Sequence, residues 1–238
     1  METNEKLIAK KILNFRKKAD QTNIIAVDGI TCSGKSLYAE ILKKKLRFFS
    51  NDIFILSKDL FLISRKKRIQ VTNKLNKKFS TEQNNLHYDK KKLESLLNVI
   101  KNNKTKKNIR LERLYNRKNG KNDKNLTFNF SKKTVIIFEG LFILEDLKNI
   151  KPIYKILITN TVYNSLSRKI ERIRDKKISI QKVVTEFTNL HLKSIHRYLL
   201  NYNFHESYSG EKNKFVKQRN GRTTQIKLIN NFFKKHLF

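Results

Sequence analysis

Three groups of residues in this chain have the types and spacing to handle a phosphoryl group. The first is the run Gly29, Ile30, Thr31, Cys32, Ser33, Gly34, Lys35, Ser36, which fits G-x-x-x-x-G-K-[ST]. Glycine lets backbone N–H groups turn toward phosphate oxygens with no Cβ in the way, and a helix starting at the loop's end points its positive pole at them. In such a loop Lys35 reaches the β/γ-phosphate oxygens, and the Ser36 hydroxyl binds the magnesium ion that bridges them. The second group is a pair of carboxylates, Asp59 and Glu139, each just beyond an apolar run. Phosphoryl transfer needs the acceptor hydroxyl's proton taken up and a cation held beside the phosphates, and carboxylates placed there do both. The third group is a set of arginines, Arg168, Arg172 and Arg174, the first two four residues apart on one helical face. Only 6 glycines occur in 238 residues, and two of them fall at the required positions of the loop.

The elements that must position these groups are legible as apolar runs. Asn23–Asp28 reads as a buried strand ahead of the loop, and Ser36–Leu42 has helical spacing behind it. Asp52–Ser57, Lys133–Phe138 and Tyr154–Ile158 read as further strands. Lys90–Ile100, 162–175, 178–203 and 225–237 read as helices, and residues 62–86 as a polar, basic surface excursion. Asn119-Gly120 is a hairpin turn signal inside 109–130, which predicts a small antiparallel flap. Strands alternating with helices predict an α/β fold with a parallel sheet covered on both faces. In such sheets ligands bind beyond the carboxyl ends of the strands, where Asp59 and Glu139 fall.

Composition narrows the function classes. No apolar run is long enough to span a bilayer, and Met1–Lys18 reads as an amphipathic helix with Leu7, Ile8, Ile12 and Phe15 inward. One cysteine excludes an internal disulfide and fits a reducing, cytoplasmic setting. The formal net charge of +34 would by itself point to nucleic acid. The lysines are spread over every predicted element, however. With abundant Asn and Ile they follow the codon bias of an A/T-rich genome. The expected contact with nucleic acid is therefore non-specific, charge-driven binding. Arg65-Lys66-Lys67-Arg68 and Lys101–Arg110 are the densest basic clusters and read as solvated loops.

Five segments in order resemble the uridine kinase-like branch of the P-loop kinases, which includes phosphoribulokinase-type enzymes: VDGITCSGKS (27–36), ILSKDLF (55–61), YNRKNG (115–120), VIIFEGLF (135–142) and LSRKIERIRD (166–175). The resemblance implies a three-layer α/β/α P-loop NTPase fold with a parallel sheet, a β flap and a helical lid (166–178), all in one domain spanning 1–238 with an N-terminal helix over 1–20. It implies ATP and Mg2+ as cofactors, Asp59 as the base, and Glu139 as a magnesium-orienting acid. Arg168, Arg172 and Arg174 are implied as the lid's phosphate-binding arginines. Where family members often continue with Arg-Gly, this chain runs Lys176-Lys177-Ile178. Asp89 and Tyr115 correspond to acceptor-binding positions, with Arg117 beside them, and Asn116 stands where the family has an acid.

The function so implied is ATP-dependent phosphorylation of a small-molecule hydroxyl, with uridine or cytidine at the 5′ position as the leading acceptor. Two alternatives stay open. One is the same chemistry on another acceptor, pantothenate-like or a sugar phosphate. The other is an RNA-binding NTPase. The sequence is compatible with a homo-oligomer.

Overall fold

The computed structural model describes residues 22–47, 52–74, 86–102, 107–131, 134–173, 179–211 and 214–236. The expected N-terminal helix over 1–20, Arg174 and the end of the expected lid lie outside these residues. In chain order the first elements are β1 (Thr22–Gly29), α1 (Lys35–Leu46) and β2 (Ile53–Ser57), then a 3-10 turn (Lys58–Phe61) and α2 (Arg65–Lys74). Next come α3 (Lys90–Asn102), β3 (Lys107–Tyr115), β4 (Asn122–Phe130), β5 (Val135–Glu139), α4 (Ile143–Asp146) and β6 (Pro152–Thr159). The last are α5 (Val162–Glu171), α6 (Ile180–Glu186), a π-helical segment (Phe187–Leu192), α7 (Lys193–Asn201), β7 (Glu206–Glu211), β8 (Lys214–Gln218) and α8 (Gly221–His236).

The main sheet has the order β2-β5-β1-β6-β7-β8, with every pair parallel except β7–β8. This is an α/β fold with a mostly parallel sheet between helical layers. Strand alternation divides the interior into two cores. Ile25 and Val27 of β1 join Tyr38, Ala39, Leu42 and Leu46 of α1 on one face. Ile24 and Ala26 point the other way, into a larger core with Leu93, Leu96, Leu97 and Ile100 of α3 and residues of the β3–β4 hairpin, α7 and α8. The central strands are apolar on both sides because both faces are covered. Phe54 of β2 stacks on Phe128 of the hairpin at 4.0 Å between ring centroids, which ties the flap to the sheet.

Three expectations need correction. The basic cluster Arg65-Lys66-Lys67-Arg68, read as a solvated loop, is instead the first turn of α2. The helix expected over 178–203 is interrupted by the π-helical segment. The sheet also continues past the four expected strands into the β7–β8 hairpin. Its polar sequence is sustained by side-chain pairing: buried Glu206 accepts hydrogen bonds from Tyr208 Oη at 2.6 Å and Lys217 Nζ at 2.6 Å.

Candidate active site

The phosphate-loop run connects β1 to α1, the strand–loop–helix setting its spacing requires. Gly29 makes the closest approach in the loop. A Cβ there would lie 2.2 Å from the Ile158 carbonyl oxygen of β6, so no other residue fits without moving the strand. Ile30 is a core residue, 1% exposed, whereas Thr31, Cys32, Ser33, Gly34, Lys35 and Ser36 line a cleft of about 1670 Å³. Lys35 Nζ lies back over the loop, donating to the carbonyls of Gly29 (3.1 Å) and Ile30 (2.8 Å). Cys32 adopts φ 62°, a left-handed turn in mid-loop, and is a buried free thiol.

Asp28, fully buried, holds the loop's entry in place and was not singled out as a functional position in the sequence. Its carboxylate accepts from the N–H groups of Gly29 (2.7 Å), Phe142 (3.2 Å) and Ile143 (2.8 Å), and from the Tyr198 hydroxyl. One side chain thus joins β1, the loop after β5, and α7. Burial pushes its pKa up, opposed by these hydrogen bonds and by Lys35. The signal available in sequence was an acid ending an otherwise apolar strand.

Glu139 ends β5 level with Ser57 of β2. It is 5% exposed, and the neighbouring Ser57 and Ser36 hydroxyls favour its charged form. Burial raises its pKa, Asp59 adds to the rise, and Lys35 opposes it. Asp59 sits in the 3-10 turn after β2, exposed on the wall of the same cleft. The preceding Lys58 turns the other way, into the protein. It is 1% exposed, paired with Asp146 at 2.7 Å and bonded to the Leu141 carbonyl at 2.9 Å. Adjacent residues of opposite charge thus anchor the turn and leave Asp59 facing the cleft.

From the other side α5 and the residue that follows it bring Arg168 and Arg172 to the cleft. Arg168 Nη1 reaches the Cys32 carbonyl at 3.4 Å, so the expected lid touches the loop directly. Lys169 also lines the cleft and pairs with Glu186 of α6 at 3.4 Å. Burial lowers its pKa, and Glu186 opposes that shift.

The expected acceptor residues separate. Tyr115 and Arg117 line the cleft, Tyr115 nearly buried at 6% exposure. Asp89 does not line it. Its Oδ1 accepts from the Lys92 N–H at 3.1 Å, capping α3, and its Oδ2 lies 3.4 Å from Lys92 Nζ. Asn116, standing where an acid was looked for, donates to Asp123 at 2.9 Å within the flap turn. Arg68, read in the sequence only as part of a solvated basic cluster, has its guanidinium over the Tyr115 ring at 4.6 Å and donates to its hydroxyl at 2.6 Å.

Two solved structures are similar in fold. A candidate fructose transport system kinase from Silicibacter sp. TM1040 matches with TM-score 0.54 at 16% identity, covering 79% of this chain and 90% of that one. A possible uridine kinase from Bacillus stearothermophilus matches with TM-score 0.52 at 16% identity, covering 82% and 92%. Both share this α/β fold with its mostly parallel central sheet. No protein-family model matches the sequence, and no curated protein does. Among the described residues no helix is long and apolar enough to cross a membrane.

Proposed function

We propose that this chain transfers the γ-phosphoryl group of ATP to a hydroxyl group of a small molecule. The observation that carries the reading is a single cleft lined together by Lys35 and Ser36 of the phosphate loop, by Glu139 and by Asp59. The donors suit magnesium. They are all oxygen, and a buried carboxylate whose charged form is disfavoured gains from a hard cation beside it. Bound at Ser36 and near Glu139, magnesium would neutralise charge on the β- and γ-phosphates.

Each residue then has a part. The N–H groups of Gly29–Ser36 and the Lys35 ammonium hold the phosphates. Arg168 and Arg172 close over the transferring group and offset its charge, with Arg174 assigned to the same task. Asp59 takes the acceptor proton as the new P–O bond forms and the bond to the ADP oxygen breaks. Tyr115 and Arg117 belong to the acceptor side.

The test is ADP release from ATP and magnesium, with hydroxyl compounds headed by uridine and cytidine. Asp59→Asn is expected to keep nucleotide affinity and lower kcat by roughly a hundredfold or more, the worth of a positioned base. Unchanged turnover removes Asp59 from the reaction. ADP release stimulated only by RNA contradicts the kinase reading.

A further inference from the structure

The acceptor end of the cleft is built by two segments distant in sequence that dock on one another. The backbone N–H of Arg65, at the start of α2, donates to the Gly120 carbonyl in the flap turn at 2.8 Å. Asn122 Nδ2 donates to the Leu62 carbonyl at 2.8 Å. A Cβ on Gly120 would lie 2.9 Å from Arg65 Cζ, so the guanidinium of Arg65 packs directly against the turn. Docking fixes the next turn of α2 as well. Arg68 donates from Nε to the Ile63 carbonyl at 3.1 Å and from Nη2 to Tyr115 Oη at 2.6 Å, with Cζ 4.6 Å from the Tyr115 ring centroid. Both ends of the guanidinium are thereby oriented on the cleft wall.

Carboxylates that could receive a ribose diol are engaged elsewhere. Asp89 caps α3, and Asp123 accepts from Asn116 at 2.9 Å and Asn119 at 2.5 Å. The acids lining the cleft are Asp59, Glu139 and Glu186, the last paired with Lys169. Of the other two, the phosphotransfer reading uses Asp59 at the reacting hydroxyl and Glu139 beside the cation. Basic residues predominate in the cleft as they do along the whole chain, so net charge by itself assigns nothing. The oriented guanidinium does, because a planar fork held at two points suits a planar carboxylate or a phosphate face.

Resting on the phosphotransfer reading, we propose that the acceptor is a hydroxyl compound carrying its own anionic group, phosphate or carboxylate, which Arg68 binds. In the reaction the acceptor hydroxyl oxygen bonds the γ-phosphorus, ADP leaves with the broken P–O bond's electron pair, and the proton passes to Asp59. Arg68 is a specificity residue, and the Tyr115 hydroxyl is its positioning partner.

Two measurements test this. The first is calorimetry with AMP-PNP and magnesium, followed by titration of inorganic phosphate into the AMP-PNP-saturated protein. Phosphate is expected to bind the wild type and to bind Arg68→Gln roughly tenfold or more weakly, as for loss of a charge-assisted contact. Arg68→Lys should fall between them, and AMP-PNP affinity reports that each variant is folded. If neither phosphate nor acetate, titrated in the same way, binds Arg68→Gln more weakly than the wild type, the proposal is overturned while the kinase reading stays intact. Failure of AMP-PNP to bind overturns both. The second measurement compares turnover on ribose 5-phosphate against ribose, hydroxycarboxylates against their amides, and uridine. The proposal expects kcat/KM at least roughly tenfold higher for an anionic member, and which pair shows it separates phosphate from carboxylate. Uridine used as well as any anionic compound overturns it.

Discussion

The two ends of the cleft are made in different ways. The phosphate loop is local. Eight consecutive residues, held by the strand before them and the helix after them, carry almost everything that end needs, and buried Asp28 locks their entry. The opposite end, which the proposal gives to the acceptor, is assembled from α2, the residues ahead of it and the β3–β4 hairpin, whose contacts join positions 47 to 60 residues apart. A motif can be written in spacing when its parts are neighbours in the chain. A site built by docking two segments has no spacing to show, and its residues become visible only once the segments meet.

The sharpest way to break the comparison is at Gly29. Its added methyl would lie 2.2 Å from a main-chain oxygen of β6 and cannot be relieved by turning a side chain. Gly29→Ala should cost about 3 kcal/mol and abolish nucleotide binding. Thermal melts and AMP-PNP calorimetry check both, and a variant that melts and binds as the wild type removes the claim that this approach is tight.

Gly120→Ala probes the other end. Gly120 has φ +76°, and its new methyl would meet the Arg65 guanidinium, a flexible group that can move aside. The expected cost is about 1 kcal/mol, mostly backbone. Moving α2 off the turn should raise the KM for the acceptor several-fold, with AMP-PNP affinity unchanged. Equal losses at both substrates would mean that the two ends are not separately built.

The smallest effect expected is a change of slope with pH at Glu139. Burial raises this carboxyl's pKa in the folded protein above the ordinary 4.5, so the folded state holds the proton more tightly than the unfolded chain. Stability contributed this way is present below the ordinary value and is lost as pH rises through the folded one. Melting temperatures of the wild type and Glu139→Gln should therefore diverge as pH climbs from about 4 to 7, the variant gaining. On the proposed function turnover should move the opposite way, because the ionised carboxylate would be the form that serves the cation.

The sequence was most readable where burial made it apolar. β1, β2, β5 and β6 announce themselves because both faces of the sheet are covered, and α3 because Leu93, Leu96, Leu97 and Ile100 recur at helical spacing. α2 reads RKKRIQVTNK, with no apolar stripe, and its start is fixed by a flap turn that sequence cannot place beside it. β7 is equally opaque, since Glu206 and Ser207 are polar yet buried. Within the site, the loop and the two strand-end carboxylates lie on one cleft as their positions suggested. Asp89 lies off the cleft and caps α3, a use that the resemblance could not show.

The most direct test of the account follows the phosphorus itself. Protein, magnesium and ATP labelled with 32P at the γ position are incubated with the acceptor compounds, and the products are separated. The account predicts label in a phosphorylated small molecule, formed by the wild type and lost in Asp59→Asn. Label appearing only as inorganic phosphate, at the same rate in both proteins, would contradict it.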